Sequence, residues 1–158
     1  MYTQILRNIK LRQNDVPPAY YSYKTRKNEH CFSMTIFVCA AVAAGIEQPT
    51  IKQYLDCYVK ANEAGILSDE DSPDFFGAYV KSDRRLGNLV LKHFGSNKKL
   101  IRAGRLDGKT AEMPNADFII INGKTERGNG HFREFRYDPW SPEITFRYFK
   151  SIRYYIVR

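Results

Sequence analysis

The sequence predicts an α+β domain in which N-terminal helices pack on a C-terminal antiparallel sheet. The chain has 158 residues, of which 43% are hydrophobic and 27% charged, and this composition is ordinary for one globular domain with its own core. Apolar positions before Gly95 recur with helical spacing, whereas the sequence after Gly95 consists of short β-branched or aromatic runs separated by Gly, Asn and Pro. Helices followed by strands are typical of this class. We therefore expect residues 1–158 to form a single domain.

The first 27 residues predict an arm that packs back on the domain. This stretch is polar, contains Pro17 and Pro18, and carries an aromatic cluster at Tyr20, Tyr21 and Tyr23.

The next segment, CFSMTIFVCAAVAAG, predicts a central helix that is buried on most sides. It is apolar nearly all round and ends at Gly45, a residue suited to the position after a helix. Asn28 is the expected N-cap of this helix. That position of the cap sets Cys31 in the first helical turn.

Two further helices and a set of strands follow. Thr50 and Gln53 have the spacing of a capping box, and the helix that they begin should end at Gly65. A third helix is expected from Ser82 to Gly95. Strands are expected within residues 99–105, 116–123, 130–137 and 151–158.

The net charge of +8 comes from basic residues that are spread along the chain. Such a surface attracts nucleic acid, anionic lipid or an acidic polymer, or it serves solubility alone. No recognisable nucleic-acid module accompanies the charge. Nucleic acid is therefore the less favoured partner.

The three cysteines indicate a reducing environment. Their odd number and the lack of C-x-x-C spacing favour neither a disulfide framework nor a zinc ribbon, and we expect no metal or organic cofactor. The N-terminus does not have the pattern of a secretory signal. The longest apolar run, residues 31–46, is shorter than the roughly 20 residues that cross a bilayer. We expect a cytoplasmic protein without a membrane span.

Cys31 and His131 are the residues best placed for chemistry. The dipole and backbone N–H groups of a helix N-terminus lower the pKa of a cysteine from about 8.5, and this prepares a nucleophile. The alternative is that Cys31 packs as a small hydrophobe, as we expect of Cys39 and Cys57. His131 opens a predicted strand after the Gly-rich segment GKTERGNG, where a base at the sheet edge could face the helix start.

The order of NEHCFSMT and GHFREFRYDPW resembles that of papain-like cysteine peptidases. The resemblance is closest to the compact bacterial branch similar to double-glycine leader peptidases and to related uncharacterised bacterial and phage domains. It implies a papain-like fold in which Cys31 is the nucleophile, His131 the general base and Asp138 the residue that orients His131. The implied activity is amide hydrolysis through a thioester, with a peptide or protein as substrate. A peptidoglycan stem peptide is one such substrate, because a basic surface suits an anionic wall.

Three positions around this site leave alternatives open. On a straight strand the seven-residue step from His131 to Asp138 spans roughly 23 Å, so Asp138 is either a triad member reached through a tight turn or a turn former before Pro139. Thr25 stands where the family has its oxyanion glutamine, which leaves Asn28 or Gln13 as the donor beside the Cys31 N–H. Trp140 is either a wall of the substrate site or a ring packed under a turn.

The competing function is that of a basic binding module. In that interpretation the chain keeps a papain-like fold without the chemistry and binds a protein or nucleic acid partner. The state of Cys31 separates the two functions. A catalyst requires a partly exposed thiol close to His131, whereas a binding module permits an inert, buried one.

Overall fold

The computed structural model describes residues 6, 8–22, 26–68, 79–107, 116–124, 130–134 and 149–158. Within these ranges the chain forms three α-helices, α1 (Cys31–Ala43), α2 (Ile51–Glu63) and α3 (Asp83–His93), and six strands, β1 (Leu67–Ser68), β2 (Tyr79–Val80), β3 (Leu100–Asp107), β4 (Phe118–Lys124), β5 (Gly130–Glu134) and β6 (Phe149–Val157). Helices precede a sheet that is antiparallel throughout these strands. The predicted α+β class is confirmed.

Helix α1 is the centre of the core, as the sequence predicts. Every residue from Ser33 to Ala43 is buried, because a helix that is apolar on all sides has no face suited to water. The predicted N-cap is wrong, since the cap position belongs to His30. The Asn28 side-chain oxygen accepts the His30 N–H at 3.2 Å, and thus stabilises the turn before the helix rather than the helix itself.

The starts of α2 and α3 and the C-terminal ends of all three helices follow the local sequence signals. Gln53 and Thr50 form the expected capping box at the start of α2, and the Ser82 side chain accepts from the Arg85 N–H at the start of α3. Each helix is followed by a glycine with positive φ at the second position after its last residue, namely Gly45 (92°), Gly65 (71°) and Gly95 (77°). Only glycine adopts this conformation without a steric cost. No helix within the described ranges is long and apolar enough to cross a bilayer.

The larger sheet has the strand order β3-β6-β4-β5 among the strands that the structure describes. The last strand of the chain, β6, therefore lies between β3 and β4. Buried side chains from three of the strands contribute to the core, namely Leu100, Phe118, Ile120, Tyr155 and Val157. Helix α1 contacts β5, and α3 contacts both α1 and β3. A short β1-β2 pair, which the sequence did not predict, forms a separate two-stranded ladder.

The described part of the N-terminal arm packs against the rest of the chain. Ile9, Leu11 and Val16 are buried. The Lys10 N–H donates to the Gln48 side-chain oxygen at 3.2 Å, and the Gln48 amide donates to the Asn8 carbonyl at 2.7 Å. These bonds tie the arm to the connection between α1 and α2.

Candidate functional site

Cys31 is the first residue of α1 and differs from the other two cysteines in its exposure. Its side chain is partly exposed, whereas Cys39 and Cys57 are buried. The Met34 N–H is the donor that makes the first helical bond, to the His30 carbonyl at 2.9 Å, so Cys31 lies at the positive end of the helix dipole, where a thiolate is stabilised. Burial raises the pKa of Cys57 to about 12. The Cys57 thiol therefore stays protonated at neutral pH.

The turn before Cys31 is tied to the arm by a reciprocal pair of amides. The Asn28 amide donates to the Gln13 carbonyl at 2.8 Å, and Gln13 Nε2 donates to the Asn28 carbonyl at 2.8 Å and to the Asn28 side-chain oxygen at 3.2 Å. The Gln13 amide nitrogen is thus within hydrogen-bond distance of two oxygens of Asn28. The Asn28 amide carries a second N–H besides the one bound to Gln13. Asn28 is consequently the better oxyanion candidate of the two.

His30, the residue before Cys31, is fully buried, with 0% of its surface exposed. Its Nε2 lies 2.6 Å from the Tyr20 carbonyl, and since a carbonyl only accepts, Nε2 carries the hydrogen. Its Nδ1 lies 2.7 Å from the Tyr54 hydroxyl. Burial is the main cause that lowers the His30 pKa, so the ring is neutral at neutral pH and Nδ1 accepts from Tyr54.

The Tyr54 hydroxyl links His30 to a second buried side chain, Ser33. The Ser33 hydroxyl lies 2.7 Å from the Tyr54 hydroxyl and 3.2 Å from the His30 carbonyl. Burial raises the pKa of Tyr54, and the nearby Cys31 sulfur contributes in the same direction. The three side chains, His30, Ser33 and Tyr54, form a buried network beside Cys31. Sequence reasoning missed this network, because it forms only when the start of α1 packs against α2.

His131 lies in β5, which is an edge strand of the described sheet. Its backbone is opposite Gly123 of β4, the position at which the register between β4 and β6 shifts. Helix α1 contacts β5, so the fold brings the helix that begins at Cys31 against the strand that contains His131. The His131 side chain lies outside the described part of the structure. Asp138 and Trp140, the other predicted site residues, lie outside the described residues as well.

An arginine cluster, formed by Arg102, Arg105 and Arg153, lies on β3 and β6. Arg105 is directly opposite Arg153, and Arg102 is directly opposite Tyr155. Directly opposed residues of an antiparallel pair share a face of the sheet, so the three arginines lie on one face. The Arg153 guanidinium carbon is 5.0 Å from the ring centroid of Phe32, the residue after Cys31. The cluster is therefore next to the first turn of α1.

The electrostatics of Arg153 reflect its neighbours. Burial lowers the Arg153 pKa, the adjacent Tyr155 opposes this effect, and Arg105 and Arg102 lower the pKa further. The positive charges of Arg105 and Arg102 thus both act against the charged form of Arg153. Sequence reasoning missed this cluster, because the register between β3 and β6 brings Arg105 and Arg153 together.

Within the described part of the chain, no three His, Cys, Asp or Glu side chains form a group that could hold a metal ion. Comparison with protein-family models, with curated proteins and with solved structures finds no match to this chain. The function is therefore inferred from the arrangement of the site itself.

Proposed function

We propose that the protein is a cysteine-dependent amide hydrolase, a papain-like peptidase with Cys31 as its nucleophile. The observation that carries this proposal is the position of Cys31. Its partly exposed thiol begins a buried helix, and this helix contacts the strand of His131. A helix N-terminus stabilises the thiolate that attack requires.

In the proposed mechanism His131 takes the proton of the Cys31 thiol as the sulfur attacks the amide carbon. The tetrahedral oxyanion is stabilised by the Cys31 N–H and by the second N–H of the Asn28 amide. The intermediate collapses to a thioester when the C–N bond breaks and His131 protonates the leaving amine. Water then attacks the thioester with His131 as base, which releases the acid and restores the thiol. By the resemblance to papain-like peptidases, the proposal assigns Asp138 to the orientation of His131 and Trp140 to a wall of the substrate site.

The hydrogen bonds that hold the turn before Cys31 favour this proposal. Catalytic groups act well only when the surrounding shell fixes them within about 0.5 Å. Here Asn28 is bound to Gln13, and His30 is bound to Tyr20 and Tyr54. Two independent sets of hydrogen bonds thus hold the backbone immediately before the nucleophile.

The arginine cluster favours a second candidate, a catalytically silent binding module for a protein or nucleic acid partner. In that case the cationic surface carries the function, binding weakens steeply with salt, and Cys31 is dispensable. The two candidates therefore differ in the expected effect of replacing Cys31. Hydrolysis would be lost, whereas binding would be unchanged.

A peptide library separates the two candidates. The purified protein is incubated with a proteome-derived peptide library, and new termini are mapped by mass spectrometry. We expect cleavage by the wild type and by Cys39→Ala, a control at a buried cysteine of the same helix, and no cleavage by Cys31→Ser or His131→Ala. Cleavage that survives Cys31→Ser, or the absence of new termini with the wild type, would contradict the proposal.

A further inference from the structure

We propose that His30 is an acid-sensitive latch for a flap formed by residues 17–22 of the N-terminal arm. The flap is closed while the His30 ring is neutral, and protonation of the ring favours its opening. This inference does not depend on the proposed function, because it concerns the arm and the turn before α1 whatever chemistry Cys31 performs.

The flap is a short segment between two fixed points. It contains a single 3₁₀ turn, Pro18–Tyr20, and residues 17–19 are exposed. Val16, which precedes the flap, is buried. The amide pair of Gln13 and Asn28 closes the loop to which the flap belongs. Both ends of this loop are therefore held, while the flap between them lies at the surface.

Tyr20 joins the flap to His30. Its main-chain carbonyl accepts the His30 Nε2 hydrogen at 2.6 Å, and its ring packs edge-on against Tyr58 with the centroids 5.8 Å apart. The Tyr58 ring in turn lies 4.9 Å from the His30 ring. Nε2 thus faces the flap, and Nδ1 faces Tyr54 of α2. The closed flap and α2 together leave none of the His30 surface in contact with water.

The hydrogen bonds around His30 accommodate an added proton, whereas burial opposes the added charge. A proton on Nδ1 makes this atom a donor to the Tyr54 hydroxyl, which can then donate to the Ser33 hydroxyl. Ser33 keeps the His30 carbonyl as its acceptor. The chain of hydrogen bonds is therefore kept, but a positive charge in a site without water is strongly unfavourable. Opening the site to water relieves this cost.

The groups that face His30 do not balance a positive charge. Among the described residues, Glu29 favours the charged ring, but burial is the larger effect and lowers the His30 pKa. Tyr54 and Tyr58 face the ring from α2, and tyrosine hydroxyls are uncharged in acid. The Cys31 sulfur, in the first turn of α1, acts on Tyr54. Glu29 is therefore the described carboxylate that counters burial, and burial prevails.

The flap is the neighbour of His30 that can open at the lower cost. Local opening occurs in segments with few buried contacts. Tyr54 and Tyr58 of α2 are buried in the core, so a shift of α2 would expose the core itself. In the flap, Tyr20 and Tyr21 are only half-buried. Water should therefore reach a protonated His30 from the side of the flap.

Amide hydrogen exchange followed by NMR tests the latch on the whole protein. The Ser22 N–H donates to the Lys27 carbonyl at 2.9 Å and reports opening of the flap. After correction for the intrinsic effect of pH, its exchange should accelerate by up to tenfold per pH unit below 6.5, the ordinary pKa that His30 regains in the open form. The acceleration should end where the His30 ring signals show protonation of the closed form.

Urea distinguishes opening of the flap from unfolding of the whole domain. The Tyr58 N–H, in the middle of α2, exchanges through unfolding of the core. We expect exchange at Ser22 to be at least about tenfold faster than at Tyr58 and insensitive to low urea, because local opening exposes little surface. Equal rates with equal urea dependence at the two amides would overturn the latch, since the domain would then open only as a whole.

Substitutions assign the pH dependence to His30. His30→Gln cannot be protonated, so its exchange at Ser22 should not depend on pH after the same correction. His93→Gln is the matched control, because partly exposed His93 is bound to Lys60, and it should keep the wild-type pH dependence. Glu29→Gln, a change at an exposed position, keeps the test open if His30→Gln does not fold. It should move the end of the acceleration to lower pH, because Glu29 raises the His30 pKa.

The outcomes leave the hydrolase proposal to its own test. Exchange at Ser22 that stays constant in the wild type while the His30 ring titrates would overturn the latch. A pH dependence that survives in His30→Gln, or that Glu29→Gln leaves unshifted, would overturn it as well. Neither result changes the cleavage expected in the peptide library.

Discussion

Nδ1 of His30 lies 2.7 Å from the hydroxyl of Tyr54, and this bond joins the residue before Cys31 to the first turn of α2. Because Tyr54 also contacts Ser33 in the first turn of α1, the hydroxyl fixes the start of α1 at two points. The position of the candidate nucleophile therefore depends on a buried tyrosine that does not itself react.

Tyr54→Phe should destabilise the protein. The change removes only the hydroxyl, but it leaves the buried Nδ1 of His30 and the Ser33 hydroxyl with fewer partners. The expected loss is about 1–3 kcal/mol in the free energy of unfolding, measured by urea denaturation. Tyr20→Phe is the control, because His30 binds the Tyr20 main-chain carbonyl, and its effect should stay within about 0.5 kcal/mol. Equal stability of the two variants would contradict the role of the Tyr54 hydroxyl.

The stability of the protein should fall on acidification because of His30. Burial lowers the His30 pKa from its ordinary value of 6.5, so below that pH the unfolded chain binds a proton that the folded chain resists. The contribution is complete above 6.5 and is lost as the pH falls towards the folded-state pKa.

The comparison with His30→Gln isolates this effect. The stability difference between wild type and variant should shrink with falling pH by up to about 1.4 kcal/mol per pH unit. The pKa of His93 is also lowered by burial and by Lys60. Because His93 is present in both proteins, its contribution cancels in the stability difference. A difference that stays constant from neutral pH into the acid range would show that His30 is not held in its neutral form.

Gly87→Ala should destabilise the contact between α3 and β3. A Cβ atom at Gly87 would clash with the Leu100 side chain, and overpacking of this kind costs about 1–3 kcal/mol. In a Leu100→Ala background the clashing methyl group is absent and only the Cβ at position 100 stays close, at 3.2 Å, so the same change should cost less than it does in the wild type. Additive effects of the two substitutions would refute this packing.

Asn28→Ala should lower kcat on the peptide substrate by a factor of about 10²–10³, which is the usual cost of losing one oxyanion donor. Gln13→Ala is the matched control, because it breaks the same amide pair without removing the donor. We expect Gln13→Ala to affect stability more than kcat. If both variants lower kcat equally, Asn28 only positions the turn.

Local signals explain which parts of the fold the sequence could predict. The capping box at Thr50 and Gln53 and the glycines after each helix act over a few residues, and the structure confirms them. The N-cap of α1 could not be predicted in this way, because the amide of Asn28 pairs with distant Gln13.

The site depends on contacts between elements that are distant in sequence. The bond between His30 and Tyr54 arises only when α1 packs on α2, and the opposition of Arg105 and Arg153 arises only from the β3-β6 register. Cys31 could be singled out from the sequence, because its expected position at a helix N-terminus is by itself enough to lower the pKa of a thiol.

The pH dependence of Cys31 alkylation by iodoacetamide, with peptide mapping, tests the central claim that Cys31 is activated by His131. We predict that Cys31 reacts with a midpoint well below the ordinary thiol pKa of about 8.5. Cys57, whose pKa burial raises to about 12, should stay unmodified in the folded protein. In a His131→Ala variant whose folding is first checked by circular dichroism, the fast reaction of Cys31 at low pH should be lost. An ordinary thiol profile at Cys31 that His131→Ala leaves unchanged would contradict the claim.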